Sequence, residues 1–386
     1  MTVFPYLLLC AELAFVFGAA WDIQWHYAIG RDRPFIPPHL LLLGGIATTG
    51  LLALGGVLWS TLRASADDAE AGMTDVRLLR LFRAPAGLFL TGLGALCAAL
   101  AFPWDDYWHR LFGLDVTLWA PFHVMIIGGM ALAALGTAYL FGGRPGRAAQ
   151  LGTALALGTG AAVLLLLLAQ ALDREGILSV RPTASIVFPP LLVAFTLPWL
   201  VAASRTVRVP FPVARGLGAV PLGATVASLA VLGVRLGLFA FVPAALRWAA
   251  ALEGVRVREQ SMIFIATPLA FPAWLVVAGV LVDGATWLTL SRRLNGVRFG
   301  RPLAILVAGA LAALALASLD RPWERTLPLV PNGRLLDLRA ALLNALPPTA
   351  LAGATGALYG TSIGRALVGS WTRRRVRAAT FVLHGI

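Results

Sequence analysis

The sequence predicts an all-α protein: a polytopic transmembrane helical bundle of about ten spans, with a parallel internal repeat of helical hairpins in its N-terminal part. Three observations predict it. Of the 386 residues, 59% are hydrophobic and only 13% are charged, about half the charge of a soluble domain. Apolar runs of membrane-spanning length recur along the whole chain. One stretch, Trp21 to Gly45, also occurs twice, and such repetition has to be read before anything else.

The spans are expected at roughly 4–27, 38–62, 84–103, 119–142, 150–172, 184–203, 217–243, 260–290, 302–318 and 341–363. Residues 3–20, weighed as a signal peptide, lack its basic leader and carry Glu12, so the segment reads as part of the first membrane helix. Residues 1–145 form the duplicated part, with repeat one over about 1–62 and repeat two over about 84–142. Residues 146–386 form a C-terminal bundle to which the sequence assigns no role. Cys10 and Cys97 have no metal-ligand or disulfide spacing and read as small buried hydrophobes.

The formal net charge is +13 and every cation is Arg. Nucleic acid as a partner is excluded, because the arginines occupy short loops between apolar spans, the positive-inside pattern. Arg63, Arg77, Arg80 and Arg83 follow span two; Arg144 and Arg147 follow span four; Arg205, Arg208 and Arg215 follow span six. More follow span eight and fill the tail. The expected location is the cell membrane, multi-pass, with both termini cytoplasmic and the repeated segments near the outer face. The partner implied by composition is the lipid bilayer.

The first copy of the repeat reads WDIQWHYAIGRDRPFIPPHLLLLGG and the second, from Trp104, WDDYWHRLFGLDVTLWAPFHVMIIGG. Four of the five histidines lie in them: His26, His39, His109 and His123. Asp22 and His26 are one helical turn apart on one face, as are Asp105 and His109. Pro37 and Pro121 suit the start of a returning helix, which His39 and His123 then open. Gly44-Gly45 and Gly128-Gly129 follow, where small residues let helix backbones approach closely.

Each hairpin thus offers one carboxylate and two imidazoles with room for exogenous ligands. That set suits copper, and equally zinc or non-haem iron(II). Burying several ionisable groups near membrane depth costs roughly 3 kcal/mol each on insertion scales, and a bound cation offsets that cost. Asp32 and Asp115 recur in register and are candidates for further ligands or for groups that orient an imidazole; a turn role fits them equally. Glu12, within the first span, is a candidate proton relay or a hydrogen-bonding partner of a neighbouring helix. The tryptophans at 21, 25, 104 and 108 read either as a water-excluding shell or as an interfacial aromatic belt.

At these residues the chain resembles the C-type membrane subunit of the copper membrane monooxygenases, the family of particulate methane and ammonia monooxygenases. Asp22, His26 and His39, with Arg31-Asp32 and Pro37 between, match the spacing of the first copper triad in that family. Asp105, His109 and His123 match the steps of its second, with Asp105 where the family has Asn. The resemblance covers residues 1 to 145. It implies copper as cofactor, the six residues as ligands, O2 activation towards a small apolar substrate, and other membrane subunits and a periplasmic copper-domain protein as partners. A metal transporter, reservoir or sensor, and a structural subunit with a polar cluster, are the competing expectations.

Overall fold

The structure, a computed structural model, describes residues 3–30, 33–63, 75–112, 118–142, 144, 146–168, 181–209, 219–257, 270–290 and 347–368. It is built almost wholly of helices. Those that carry the repeat are α1 (Phe4–Ala28), α2 (Pro37–Arg63), α3 (Ala86–Phe112) and α4 (Pro121–Gly142). They are followed by α5 (Arg147–Leu165), α6 (Arg181–Ser204), α7 (Gly223–Leu252) and α8 (Ala270–Leu290), and by a helix over 347–368. Six of them (α1 to α5 and α7) are long and apolar enough to cross a membrane. Shorter apolar helices, Pro190–Ser204 and Leu275–Leu288, lie within α6 and α8. The expected span at 302–318 lies outside the described residues.

Two short antiparallel strand pairs depart from the all-helical expectation. β1 (Asp75–Leu78) pairs with β2 (Phe82–Pro85), and β3 (Arg208–Val209) with β4 (Val220–Pro221). Both lie in arginine-bearing loops, after α2 and after α6. The first is closed through Leu79 and Arg80 at φ 53° and 61°. That left-handed turn suits the twist of a tight hairpin but is normally made by Asn or Gly, so the sequence carries no signal for it.

Helix ends differ from expectation where proline sits inside a helix. Pro103 and Pro243 were expected near span ends, yet α3 continues to Phe112 and α7 to Leu252. A proline removes one backbone hydrogen bond and crowds the preceding turn, yet both helices run on through it, at exposed Pro103 and at buried Pro243. The consequence for α3 is that Asp105 and His109 ride on one continuous helix.

Helices α1 and α2 pack as one hairpin and α3 and α4 as another, with α2 also against α3. Backbone contact at glycines makes the packing close. A Cβ on Gly45 would stand 2.8 Å from Ala11 O and collide with the Phe15 backbone. A Cβ on Gly129 would stand 2.6 Å from Gly94 O and 3.0 Å from Ala98 N. Gly44 and Gly128, their sequence neighbours, face open space. Only the second glycine of each pair therefore serves the close approach.

One hydrophobic cluster joins both hairpins to α7, with Phe15, Trp25, Met130 and Leu246 fully buried in it. A second cluster joins α4 through α8. Buried polar groups lock the second. Asp283 of α8 accepts hydrogen bonds from Ala224 N (3.1 Å), Thr225 N (2.8 Å) and Thr225 Oγ1 (2.8 Å), capping α7 from a neighbouring helix. Two orphan amides of the α7 start are satisfied this way. Cys10 is exposed, and Cys97 is half-exposed beside α4, its thiol 3.8 Å from Met125 O, contrary to the expected full burial. In a chain this apolar, hydrophobicity does not distinguish the inward from the outward face of a helix.

Candidate metal centre

The chain turn between α1 and α2 brings His39 over the Asp22–His26 face. Asp22 Oδ1 lies 3.3 Å from His26 Nε2 and 3.1 Å from His39 Nε2. In the second hairpin Asp105 Oδ1 lies 3.1 Å from His123 Nε2, and Asp105 Oδ2 lies 3.8 Å from His109 Nε2. In each triad one donor atom from every residue lies within 4.8 Å of the others. All six side chains are largely shielded; the most open, Asp22, is 18% exposed.

Local structure fixes the imidazoles. His39 Nδ1 stands 3.0 Å from Arg33 O. A carbonyl only accepts, so Nδ1 carries a proton; Nε2 then either presents a lone pair to Asp22, in the neutral ring, or donates a second N–H to it, in the imidazolium. In the neutral ring, the form that can ligate a metal, an acceptor nitrogen faces an acceptor oxygen. Asp22 Oδ1 and Asp105 Oδ1 are both buried, and among the described residues the polar atoms that face them are these imidazole nitrogens. Such an arrangement is costly for the protein alone. A shared cation converts the facing lone pairs into coordination bonds, and a backbone carbonyl on the far nitrogen is the usual orienting partner of a ligand histidine. The donor set therefore fits a metal ion.

The two triads are neighbours. The His26 and His109 rings are 6.3 Å apart, about the same as the 6.1 Å between His26 and His39 in one triad. Phe102 of α3 meets His39 of α2 edge-on at 5.3 Å, bridging the hairpins. A single cavity of about 60 Å³ is lined by Asp22, His26, His39, Asp105 and His123. Its remaining wall is apolar: Phe15, Ala19, Leu42, Phe102, Ile126 and Ile127 contribute. That volume holds a few water-sized molecules. The cavity is invisible in the sequence, because no pattern within one repeat reports its distance from the other.

Of the remaining candidates, Glu12 is fully buried away from both triads, and its Oε1 accepts a 2.6 Å hydrogen bond from Thr137 Oγ1 of α4. The bond ties α1 to α4, the interhelical alternative of the two readings. Asp32 and Asp115 lie outside the described residues. Trp21 and Trp25 are 5% and 0% exposed, whereas Trp104 is 57% exposed. The shell reading suits the first pair and the belt reading suits Trp104. Sequence reasoning missed Thr137 and Asp283; a lone polar residue inside an apolar span was the available signal for each.

Comparison with protein-family models, curated proteins and solved structures finds no match. The site's own geometry is therefore what supports a reading of function.

Proposed function

We propose that the chain is a metal-binding integral membrane protein that holds two copper ions, one in each Asp-His-His triad. The observation that carries this is the pair of shielded carboxylates, each with two imidazole Nε2 atoms at 3.1 to 3.8 Å, so that one donor atom from every residue of a triad lies within 4.8 Å of the others. With the imidazoles in the neutral form that ligates a metal, two carboxylates leave the cavity negative, which a pair of cations neutralises. Zinc and iron(II) suit the same donors; the spacing shared with the C-type membrane subunit of the copper membrane monooxygenases favours copper. We read the two hairpins as a duplication. The arginine distribution supports cytoplasmic termini and triads near the outer face.

The same kinship supports activation of O2 for oxidation of a small apolar substrate. When bound, copper supplies the redox and Lewis-acid chemistry of such a reaction. The protein's residues do the rest. Asp22 and Asp105 hold charge in a shielded cavity, and Arg33 orients His39 through its carbonyl. Phe15, Ala19, Leu42 and Ile127 give a substrate an apolar wall and limit its size. Beyond Glu12 with its Thr137 partner, and Arg235, the described spans supply few polar groups inward of Asp22, which argues against a metal transporter. A reservoir or sensor shares the binding site and differs only in lacking turnover.

Metal analysis of the purified full chain tests the ligands. Wild type is expected to hold two metals, and His26→Ala and His109→Ala one each. Equal content in all three samples leaves only a hydrogen-bonded His–Asp network and ends the proposal. Oxygen-dependent product formation by the copper-loaded chain then separates an enzyme from a reservoir or sensor.

A further inference from the structure

The C-terminal bundle touches the metal-bearing part asymmetrically. Helix α7 packs against α1, α5, α6 and α8, and it makes no comparable contact with α3 or α4 among the described residues. Its contact with α1 falls at the site. Phe241 meets Trp21 edge-on, with ring centroids 5.7 Å apart at 89°, and Trp21 immediately precedes Asp22. One turn earlier on α1, Phe17 meets the same Phe241 ring at 5.3 Å and 65°. The Phe17 ring also rests on Gly237: a Cβ there would stand 2.8 Å from Phe17 Cζ. Leu238, Val242 and Leu246 extend the contact into the cluster that buries Trp25.

We infer that Phe241 is a positioning residue for the first triad, and that through it the C-terminal bundle sets the metal affinity of the Asp22–His26–His39 site and not of the other. This rests on the metal-binding reading above. Asp22 and His26 both project from α1, so rotation of that helix about its axis moves both donors against His39. A metal site tolerates about 0.5 Å or 10–20° of such error. Three interlocked rings, Phe17, Trp21 and Phe241, resist the rotation at the level of the ligands. Aromatic edge-to-face pairs have a preferred geometry and so hold an angle as well as a distance. Inside a bilayer, packing of this kind rather than the hydrophobic effect fixes one helix against another.

The test separates the sites. Copper(II) is titrated into full-length His109→Ala, which keeps the first site, and into His26→Ala, which keeps the second. Adding Phe241→Ala is expected to weaken copper in the first background by about tenfold, the lower range for supporting residues, and to alter its electron paramagnetic resonance signal. In the second background affinity is expected to change less than twofold. Phe241→Trp, which restores a ring, is expected to recover binding in the first. Equal weakening in both backgrounds means general loosening and overturns the inference; so does no change in either. Should Phe241→Ala fail to fold, Phe241→Leu takes its place with the same outcomes. If wild type binds no copper, the metal-binding reading itself falls and takes the inference with it. Copper binding by wild type with no site selectivity defeats the inference alone.

Discussion

The two Asp-His-His hairpins carry the same motif in different surroundings. In α1 the residues between Asp22 and His26 are Ile23, Gln24 and Trp25, all buried. In α3 the equivalent positions hold Asp106, Tyr107 and Trp108; Tyr107 is 53% exposed, and Asp106 pairs with Arg110 on the outer surface. The difference follows from packing partners. Helix α7 lies against α1, whereas α3 meets α2 beyond its own hairpin and, among the described residues, no helix of the C-terminal bundle packs comparably on it. The triads nevertheless have similar geometry, because each is made inside its own hairpin. Ligand placement is thus a property of the hairpin, whereas its rigidity and exposure depend on what the rest of the chain lays against it.

The most severe way to break this comparison is to part the helices within each hairpin. Gly45→Leu and Gly129→Leu push a side chain into backbone and are expected to prevent accumulation of folded protein. The alanine versions meet the same atoms with a smaller group and are expected to cost about 3 kcal/mol. Gly44→Ala and Gly128→Ala, which enter open space, are expected to leave stability unchanged or raise it by up to about 1 kcal/mol. Unfolding in mixed detergent micelles measures all four. A loss at Gly44 equal to that at Gly45 would show that the packing faces are misassigned.

A second contrast tests the burial asymmetry. Trp25 is fully buried, and Trp25→Ala is expected to cost 3 to 5 kcal/mol, roughly the value for large buried aromatics. Trp104 stacks on Phe122 and meets Tyr107 edge-on, both at 6.4 Å, but is 57% exposed, so Trp104→Ala is expected to cost about 1 kcal/mol. Comparable losses would mean that α3 is covered in the native assembly, by a partner protein.

Smaller still is a difference between the sites themselves. The His26–Asp22 contact is 3.3 Å and the His109–Asp105 contact 3.8 Å, so the first triad is nearer to closed coordination. The first equivalent of copper is expected to prefer it by about tenfold, or about 1.4 kcal/mol. Titration of wild type against His26→Ala and His109→Ala measures the order of filling. A reversed order would show that the looser triad is the better organised one.

Much of this was legible in the sequence, for identifiable reasons. A four-residue step within a helix and a proline at the start of the next one constrain geometry locally, so Asp22, His26 and His39 could be grouped from spacing alone. Apolar length likewise announces helices of membrane-spanning size. What spacing could not report was contact between elements distant in the chain: the shared cavity, the Glu12–Thr137 bond, the Asp283 cap on α7 and the Phe241 contact with Trp21. Each joins residues whose separation in sequence carries no period. The left-handed turn at Leu79 and Arg80 escaped for a different reason, since those residue types argue against the backbone they adopt.

The mildest contrast lies on the exposed edge of the second hairpin. Asp106 and Arg110 are one helical turn apart, and Arg110 is 71% exposed. Pairs of this kind contribute about 0.3 to 0.5 kcal/mol, since water solvates both charges almost as well when they separate. At the equivalent positions α1 has Ile23, buried, and Tyr27, which lines the cavity. Arg110→Ala is therefore expected to change stability by less than about 0.5 kcal/mol and leave copper content at two. Tyr27→Ala, by contrast, opens the cavity wall and is expected to weaken the first site. If Arg110→Ala lowered metal content as much as Tyr27→Ala, the outer edge of α3 would be part of the second site, and the division between a shielded hairpin and an open one would fail there.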